Sequence, residues 1–168
     1  MIGSNTRDYK HDSGESLYRR SMYTFWKRAA PPASMEIFNA PSREQCTVRR
    51  ERTNTPLQAL MTLNDPQMVE AARRLAERTM AEGGASDAAR IDYLARRLLA
   101  RPLSTEERPL VERSLVTLLA YYRDHADDAK QVITVGESQP NAALDASALA
   151  GWTMLANELM NLDEVLNK

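Results

Sequence analysis

The residues best suited to chemistry lie between Cys46 and Leu60, where polar side chains crowd together directly ahead of an apolar run. Three arginines, a glutamate, an asparagine and a glutamine fall within this short window. A guanidinium group presents five N–H donors in a rigid planar fork, so arginines at this density can hold carboxylates, sulfates or backbone carbonyls in a fixed geometry. The candidate polar cluster consists of Arg49, Arg50, Glu51, Arg52, Asn54 and Gln58.

Two interpretations of this polar cluster are open from the sequence. In the first, the cluster lines a pocket for an anionic or polyhydroxylated ligand, such as a sulfated or uronic sugar. In the second, it is a buried scaffold in which the arginines cap helix C-termini and pair with Glu44 or with acidic residues of later helices. Buried arginine networks of that kind hold geometry rather than catalyse, and we favour the scaffold.

Metal and haem chemistry are not expected from these residues. Cys46 is the single cysteine, so an intrachain disulfide and a cysteine-rich metal site are excluded, and no Cys-x-x-Cys-His haem motif occurs. His11 and His125 lie too far apart in the chain to show ligand spacing, and most of the eight methionines fall on apolar helix faces as core residues. We predict no metal and no cofactor.

Acid–base catalysis also has little support. Hydrolysis of a glycosidic bond requires two carboxyl groups at a set separation, which sequence alone does not reveal. The acidic groups Asp8, Asp12 and Glu15 lie near the N-terminus, whereas Asp163 and Glu164 lie in a terminal helix whose acidic face is expected to be solvated. The sequence identifies no catalytic residue and favours a chain that is not an enzyme by itself.

The net charge of −1 is unevenly distributed. Residues 1–60 hold 10 Lys and Arg against 6 Asp and Glu, whereas residues 61–168 hold 12 against 17. We interpret this as internal complementarity, with a basic partner-binding face as the alternative. The aromatics Tyr23 and Trp26 lie among basic residues, as in single-strand binders, but the chain is slightly acidic and has no nucleic-acid motif. No nucleic-acid partner is predicted.

No stretch of the sequence is an export signal or a membrane span. Residues Met1 to Arg20 are polar and lack the apolar core of a signal peptide. No apolar run approaches the roughly 18 residues that a membrane-spanning helix needs. The sequence therefore predicts a chain without a membrane span and without an export signal of its own.

The N-terminal third contains few regular elements. Residues 1–14 are polar and predict an irregular arm. Leu17 to Arg28 predict a helix with an aromatic face, ended by Pro31 and Pro32. Ala33 to Thr47 predict an extended loop in which Ser42 caps a short turn.

From Pro56 onward the sequence predicts a series of helices with clear starting points. Thr55, Asp65, Ser86 and Asp145 each precede an apolar-periodic stretch as an N-cap, and the segment from Ser104 to Glu107 forms a capping box. The helices are expected to turn an apolar face inward and a charged face to solvent. On the helix after Asp65, the predicted solvent face comprises Arg73, Arg74, Glu77 and Arg78.

The fold class predicted from these elements is all-α. The one candidate strand, Val132 to Val135, is too short to anchor a sheet. We predict an irregular bundle of about five or six helices over residues 15–168, preceded by the irregular arm over residues 1–14. In its last helix, the residues predicted to face inward are Leu149, Trp152, Leu155, Ala156, Leu159 and Leu162.

Several long motifs carry a family resemblance. They are Leu17 to Arg28, Asn39 to Glu44, the arginine window through Asn64-Asp65-Pro66-Gln67, Ala150 to Thr153 and Leu159 to Glu164. Together they resemble the C-terminal part of domain of unknown function 1553, the last domain of large exported multidomain proteins of planctomycetes and related bacteria. The resemblance covers residues 15–166.

This resemblance implies an accessory or interaction module without an established activity. Its expected partners are upstream domains of the parent protein, one of which carries haem, and its expected location is the periplasm or cell surface. Because the segments that usually precede this domain are not in the sequence, the chain resembles a C-terminal fragment. The alternative function is an arginine-rich binding or active site for an acidic polysaccharide in a carbohydrate-processing protein.

Overall fold

The chain divides into two compact units, Met1–Gln58 and Ala59–Lys168. In the computed structural model, the residues described are 12–24, 26, 30–42, 44–49 and 51–166. The predicted arm over residues 1–14 falls mostly on residues 1–11, which lie outside the described residues. Its boundary with a helical domain at residue 15 therefore stays a prediction.

The first unit begins with two short 3-10 helices, Gly14–Tyr18 and Ser21–Tyr23. The single helix predicted over residues 17–28 is wrong in its described part, because Arg19 and Arg20 between the two turns have extended backbone. Neither turn has a side-chain cap or a buried residue. An isolated short helix is marginal without such support, which explains why the aromatic periodicity does not produce a continuous helix.

Helix α1, Ala33–Ile37, occupies part of the stretch predicted to be an extended loop, so that prediction is also wrong there. Pro32 precedes the helix as its N-cap residue, a position where a missing N–H removes no helical hydrogen bond. Asn39 has a left-handed φ of 53°, and the Ala40 N–H donates to the Met35 carbonyl at 2.8 Å. This closing bond ends α1 after barely more than one turn.

Helix α2, Pro56–Asn64, contains the boundary between the two units. It starts as predicted, with Thr55 as its N-cap. The Thr55 Oγ1 accepts from the Gln58 N–H at 3.3 Å, and the Gln58 Oε1 accepts from the Thr55 N–H at 2.9 Å. These reciprocal bonds form a capping box, which satisfies two N–H groups that the first turn leaves unpaired.

The second unit contains the remaining helices and confirms the all-α prediction, because the described part of the chain contains no strand. Val132, from the candidate strand, lies within a helix instead. The helices that follow α2 are α3 (Pro66–Glu82), α4 (Asp87–Leu98), α5 (Glu107–Asp124), α6 (Ala126–Ile133), α7 (Ala146–Met160) and α8 (Asp163–Leu166).

Helix α7 is the centre of this unit. It packs against α3, α5 and α6 and also contacts α4. Trp152 is buried on α7, and Gly151 beside it has no side chain to separate the helices. A Cβ atom at Gly151 would lie 2.8 Å from the Leu119 Cδ2 of α5, so α5 and α7 pack more closely than a larger residue allows. Five of the six inward predictions for α7 are confirmed by burial, namely Leu149, Trp152, Leu155, Ala156 and Leu159.

The predicted caps of α3, α4 and α7 are confirmed. Asp65, Ser86 and Asp145 each accept a hydrogen bond from a backbone N–H in the first turn of the helix that follows. The capping box at α5 is also present, because the Ser104 N–H donates to Glu107 at 2.8 Å and the Glu107 N–H donates to the Ser104 Oγ at 3.1 Å. These interactions are local, which is why short sequence patterns predict them.

Three side chains lie where the sequence did not predict them. Arg73 and Glu77 were expected on the solvent face of α3, but both are buried. Arg74 and Arg78 are exposed as expected. Leu162 was expected to face inward, but α7 ends at Met160, and Leu162 is exposed beyond that end.

None of the helices in the described ranges is both long enough and apolar enough to cross a membrane.

Candidate functional site

The polar cluster predicted from the arginine window lies largely on the surface. Arg49, Glu51, Arg52 and Asn54 are all exposed, and Arg50 lies outside the described residues. Among the described side chains, no hydrogen bond or ion pair joins any of these four to another group of the chain. The structure therefore does not assemble the predicted cluster around a buried pocket.

Gln58 is the buried member of the predicted cluster, and its contacts explain why. Its Nε2 donates to the Ile37 carbonyl at 2.8 Å and to the Thr53 Oγ1 at 2.9 Å, while its Oε1 completes the capping box with Thr55. The amide thus links α1, the window and the start of α2 within the first unit. This is a structural role that satisfies buried polar groups.

The scaffold interpretation of the arginines stays a prediction, and the exposure of the two that are described does not support it. It required Arg49 and Arg52 to be buried against helix ends or acidic partners, and both are exposed. Gln58 lies in the first turn of α2 and bonds to groups of the same unit, whereas Arg49 and Arg52 precede α2 and lie outside any helix. Exposure leaves both guanidinium groups accessible to a partner from solution.

A buried arginine network does exist, but on α3. Arg73 is fully buried between Glu70, one turn earlier, and Glu77, one turn later. The Arg73 guanidinium donates to the Glu77 Oε1 at 3.0 Å and to the Ser138 carbonyl at 2.6 Å. One i,i+3 and one i,i+4 spacing bring the three charges to one side of the helix.

The same carboxylates hold the loop between α6 and α7. Glu70 accepts from the Glu137 N–H at 2.9 Å and from the Ser138 N–H at 3.0 Å, and Glu77 accepts from the Asn141 N–H at 3.0 Å. We call this arrangement, formed by Glu70, Arg73, Glu77 and the backbone of residues 137–141, the α3 clamp. Because loop groups occupy the charged side chains, the α3 clamp is suited to holding the loop rather than to catalysis.

The loop can approach this closely because it contains Gly136. Its φ of +97° is in the region that favours glycine. A Cβ atom at this position would overlap the Glu70 carboxylate and lie 2.6 Å from its Cδ. A glycine is therefore required for both the backbone turn and the close contact with α3.

The ionisation of Glu77 reflects competing influences. Burial is the largest and raises its pKa, whereas the hydrogen bonds from Arg74 and the Asn141 N–H and the charges of Arg73 and Arg74 lower it. The hydrogen bonds and charges together outweigh burial, so the pKa of Glu77 lies below its usual value of 4.5. Glu77 is thus a carboxylate at neutral pH and can accept every one of these bonds.

Sequence reasoning missed the α3 clamp, although one signal was present. Glu70, Arg73 and Glu77 alternate in sign at helical spacing, directly beside the buried Val69 and Ala76. Charges that flank an apolar stripe in this way can be covered by a neighbouring segment. The covering loop lies 64 to 68 residues away in the chain, so no local pattern could identify it.

Helix α5 presents a second, outward-facing apolar side. Its inward side includes the buried Leu115 and Tyr122, as predicted. On the opposite side, Leu110 is 63% exposed, Val116 67% and Tyr121 45%. We call this side the outer stripe, and it comprises the exposed residues Leu110, Arg113, Val116, Thr117, Ala120, Tyr121 and Asp124.

Tyr121, at one edge of the outer stripe, is held in place by two neighbouring side chains. Its hydroxyl donates to Asp128 at 2.7 Å, and its ring stacks on His125 at a centroid distance of 4.2 Å. The hydrogen bond to Asp128 raises the pKa of Tyr121, so the phenol remains neutral. A fixed, neutral aromatic ring contributes contact area with little loss of conformational freedom on binding.

Across the described ranges, no group of three or more His, Cys, Asp or Glu side chains is arranged to hold a metal ion.

These features define an all-α protein with a buried loop clamp on α3 and an exposed helix face on α5. The family comparison agrees with the resemblance in the sequence. Residues 2–115 match the family described as protein of unknown function (DUF1553), and the chain belongs to that family. The match begins before residue 15 and ends well before residue 166, which are the limits predicted from the sequence. No curated protein and no solved structure matches the chain.

Proposed function

We propose that this chain is a helical interaction module that binds a protein partner through the outer stripe of α5. The observation that carries the proposal is the exposure of Leu110 and Val116 on a helix whose opposite side already fills the core. A surface helix needs only one apolar side to fold against its neighbours. A second apolar side contributes nothing to that packing and is a recurrent mark of a binding surface.

The polar members of the outer stripe suit binding as well. The Thr117 hydroxyl donates to the Arg113 carbonyl at 3.0 Å within the helix, so a covering partner need not supply its acceptor. Ala120 is small and lets another surface approach the helix axis closely. Among the described residues, Arg113 forms no ion pair within the chain and is free to meet an acidic group of a partner.

A photo-crosslinking experiment tests this proposal. A benzophenone amino acid replaces Val116 in the protein produced in its native cells, and the matched control carries the same group at the exposed Ala88 of α4. We expect a defined crosslinked product from position 116 that is absent from position 88 and is lost when Leu110→Asp is added. Equal crosslinking from both positions, or none from position 116, would overturn the proposal.

The family resemblance adds a prediction about the partner. It implies that the module belongs to an exported multidomain protein and packs against an upstream domain there. Mass spectrometry of the crosslinked product identifies the partner, because the peptide attached to position 116 shows which polypeptide it comes from. A haem-bearing neighbour would be identified in the same way.

A second candidate function is binding of an acidic polysaccharide through the arginine window. The exposure of Arg49 and Arg52 favours it, because both guanidinium groups can reach a uronate or sulfate. The test is binding of polygalacturonate by the wild-type chain and by the double variant Arg49→Ala/Arg52→Ala. Salt-sensitive binding that the double variant loses would support this function, and equal binding by both proteins would remove it.

A further inference from the structure

The outer stripe is charged at both ends with opposite signs. Arg113 lies near its start and Asp124 at its end, and both are exposed without an ion pair among the described residues. They are eleven positions apart, which is close to three full helical turns, so the two charges lie on one side of α5 about 16 Å apart. The residues between them on this side are small or apolar.

From this pattern we propose that the partner of the outer stripe is a second copy of this chain, bound with the two α5 helices antiparallel. The proposal rests on the proposed function and names its partner. In the antiparallel register that places Arg113 opposite Asp124 of the other copy, Asp124 is also opposite the other Arg113. Both ends of the contact are then paired with opposite charge, which a self-complementary twofold interface requires.

The same register matches the side chains between the charges. Val116 comes opposite Tyr121 of the other copy, so an aliphatic side chain meets an aromatic ring. Thr117 comes opposite Ala120, so small residues meet at the centre, where two helices must approach most closely. Both pairs follow from the single register that places Arg113 opposite Asp124.

A second pair of charges favours the antiparallel arrangement. Glu112 and Arg123 are exposed on one flank of the outer stripe, and in this register they come almost opposite each other. Among the described residues, the ion pair of Glu112 is a long contact of 3.9 Å with Arg108. A parallel pair would instead bring Arg113 against Arg113 and Asp124 against Asp124, where like charges repel.

The dimer is expected to be weak. A single pair of helices buries less area than the roughly 1,200–2,000 Å² of a stable protein interface. We therefore expect a dissociation constant of about 1 µM or weaker. Association is therefore expected to depend on concentration, and the monomer remains folded because the core of the second unit does not include the outer stripe.

Sedimentation equilibrium of the 168-residue chain tests the inference. A reductant is present because Cys46 is exposed and could otherwise link two copies through a disulfide. Arg113→Asp and Asp124→Arg each place like charges at both ends, and each is expected to weaken self-association about tenfold or more. An equimolar mixture of the two variants is expected to restore dimers, because every end then pairs an acid with a base.

The control is Arg96→Asp, which reverses an exposed charge on α4 and is expected to leave association unchanged. Circular dichroism of each variant shows that it remains folded. A wild-type chain that stays monomeric at every accessible concentration, or single variants that do not recover on mixing, would overturn the inference. If the position 116 crosslink then joins a different polypeptide, the proposed function holds and only the second copy is wrong.

Discussion

Two clusters in this protein use the same residue types in different surroundings. In the α3 clamp, Arg73 lies between Glu70 and Glu77, with side-chain exposures of 0%, 4% and 9%. At the surface, Arg101 lies between Glu107 and Glu164, with exposures of 38%, 40% and 42%. Arg101 donates to both oxygens of Glu107 at 2.8 Å, so its geometry is at least as good as that of Arg73.

Burial, and not hydrogen-bond geometry, decides how much an arginine–glutamate cluster contributes to the stability of the fold. Water screens the Arg101 cluster and would solvate each charge if its partner were removed. Arg73 has no such alternative, so removing one member leaves charges in a medium where they are poorly solvated. The clamp also satisfies three backbone N–H groups of a loop, so its loss would release a segment as well as a charge.

The largest effect is expected from Arg73→Ala. The substitution leaves Glu70 and Glu77 buried without their shared cation, and such losses destabilise by about 3–5 kcal/mol. Urea unfolding measures the free energy directly. Arg74→Ala is the matched control, because Arg74 also bonds Glu77 but is 56% exposed, so its loss is expected to cost about 1 kcal/mol or less. Equal midpoints for the two variants would contradict the argument from burial.

Gly136→Ala should give the next largest effect. The new methyl group would force the loop away from Glu70 and would place alanine at a φ of +97°. We expect a destabilisation of about 1–3 kcal/mol in urea unfolding. Gly84→Ala separates the two causes, because Gly84 has a similar φ of +96° but only the Ala89 methyl nearby at 3.2 Å. A loss no greater than that of Gly84→Ala would mean that the contact with Glu70 is unimportant.

Acidification should weaken both clusters over related pH ranges. The folded pKa of Glu77 is below 4.5, so its stabilisation is complete above pH 4.5 and is lost as pH falls through the folded pKa. Glu107 behaves alike, because Arg101 and the Ser104 N–H lower its pKa to about 2. Glu77→Gln should start less stable at neutral pH and then lose less on acidification, as measured by urea midpoints along a pH series. Parallel curves for variant and wild type would contradict this.

The smallest effect is expected from Arg101→Ala. The remaining glutamates can be hydrated where they are, so we expect the melting temperature to fall by roughly 0–3 °C. Differential scanning calorimetry at low and high salt checks the cause, because salt screens an exposed cluster more than a buried one. A large, salt-independent loss would show that the exposed cluster is as important as the α3 clamp.

Sequence patterns predicted the parts of the fold that depend on neighbours in the chain. The caps at Asp65, Ser86 and Asp145, and the capping box at Ser104, involve residues no more than three positions apart. The all-α class followed from the absence of alternating patterns. The helix predicted over residues 17–28 is wrong over residues 17–24, because periodicity without a cap or a packing surface does not stabilise a helix.

The candidate sites were harder to predict because they depend on distant segments. Glu70 and Arg73 resemble an ordinary charged helix face until the loop of residues 137–141 covers them. The outer stripe was missed for a different reason, because one apolar side of α5 was sufficient to account for its folding. Among its described residues, the arginine window contributed one buried side chain, Gln58, whose position is explained by its capping interaction with Thr55.

The central position of α7 has a consequence for how the protein is made. A ribosome adds roughly 5–20 residues per second and delivers the N-terminal part of a chain first. Helices α3 to α5 therefore emerge before the helix against which they pack. About 90 residues separate Val69 on α3 from Leu159 on α7, so apolar faces wait on the order of 5–20 s for their partner. During that interval the apolar faces of α3 to α5 lack the helix that covers them, so the core of the second unit is completed only after α7 has emerged.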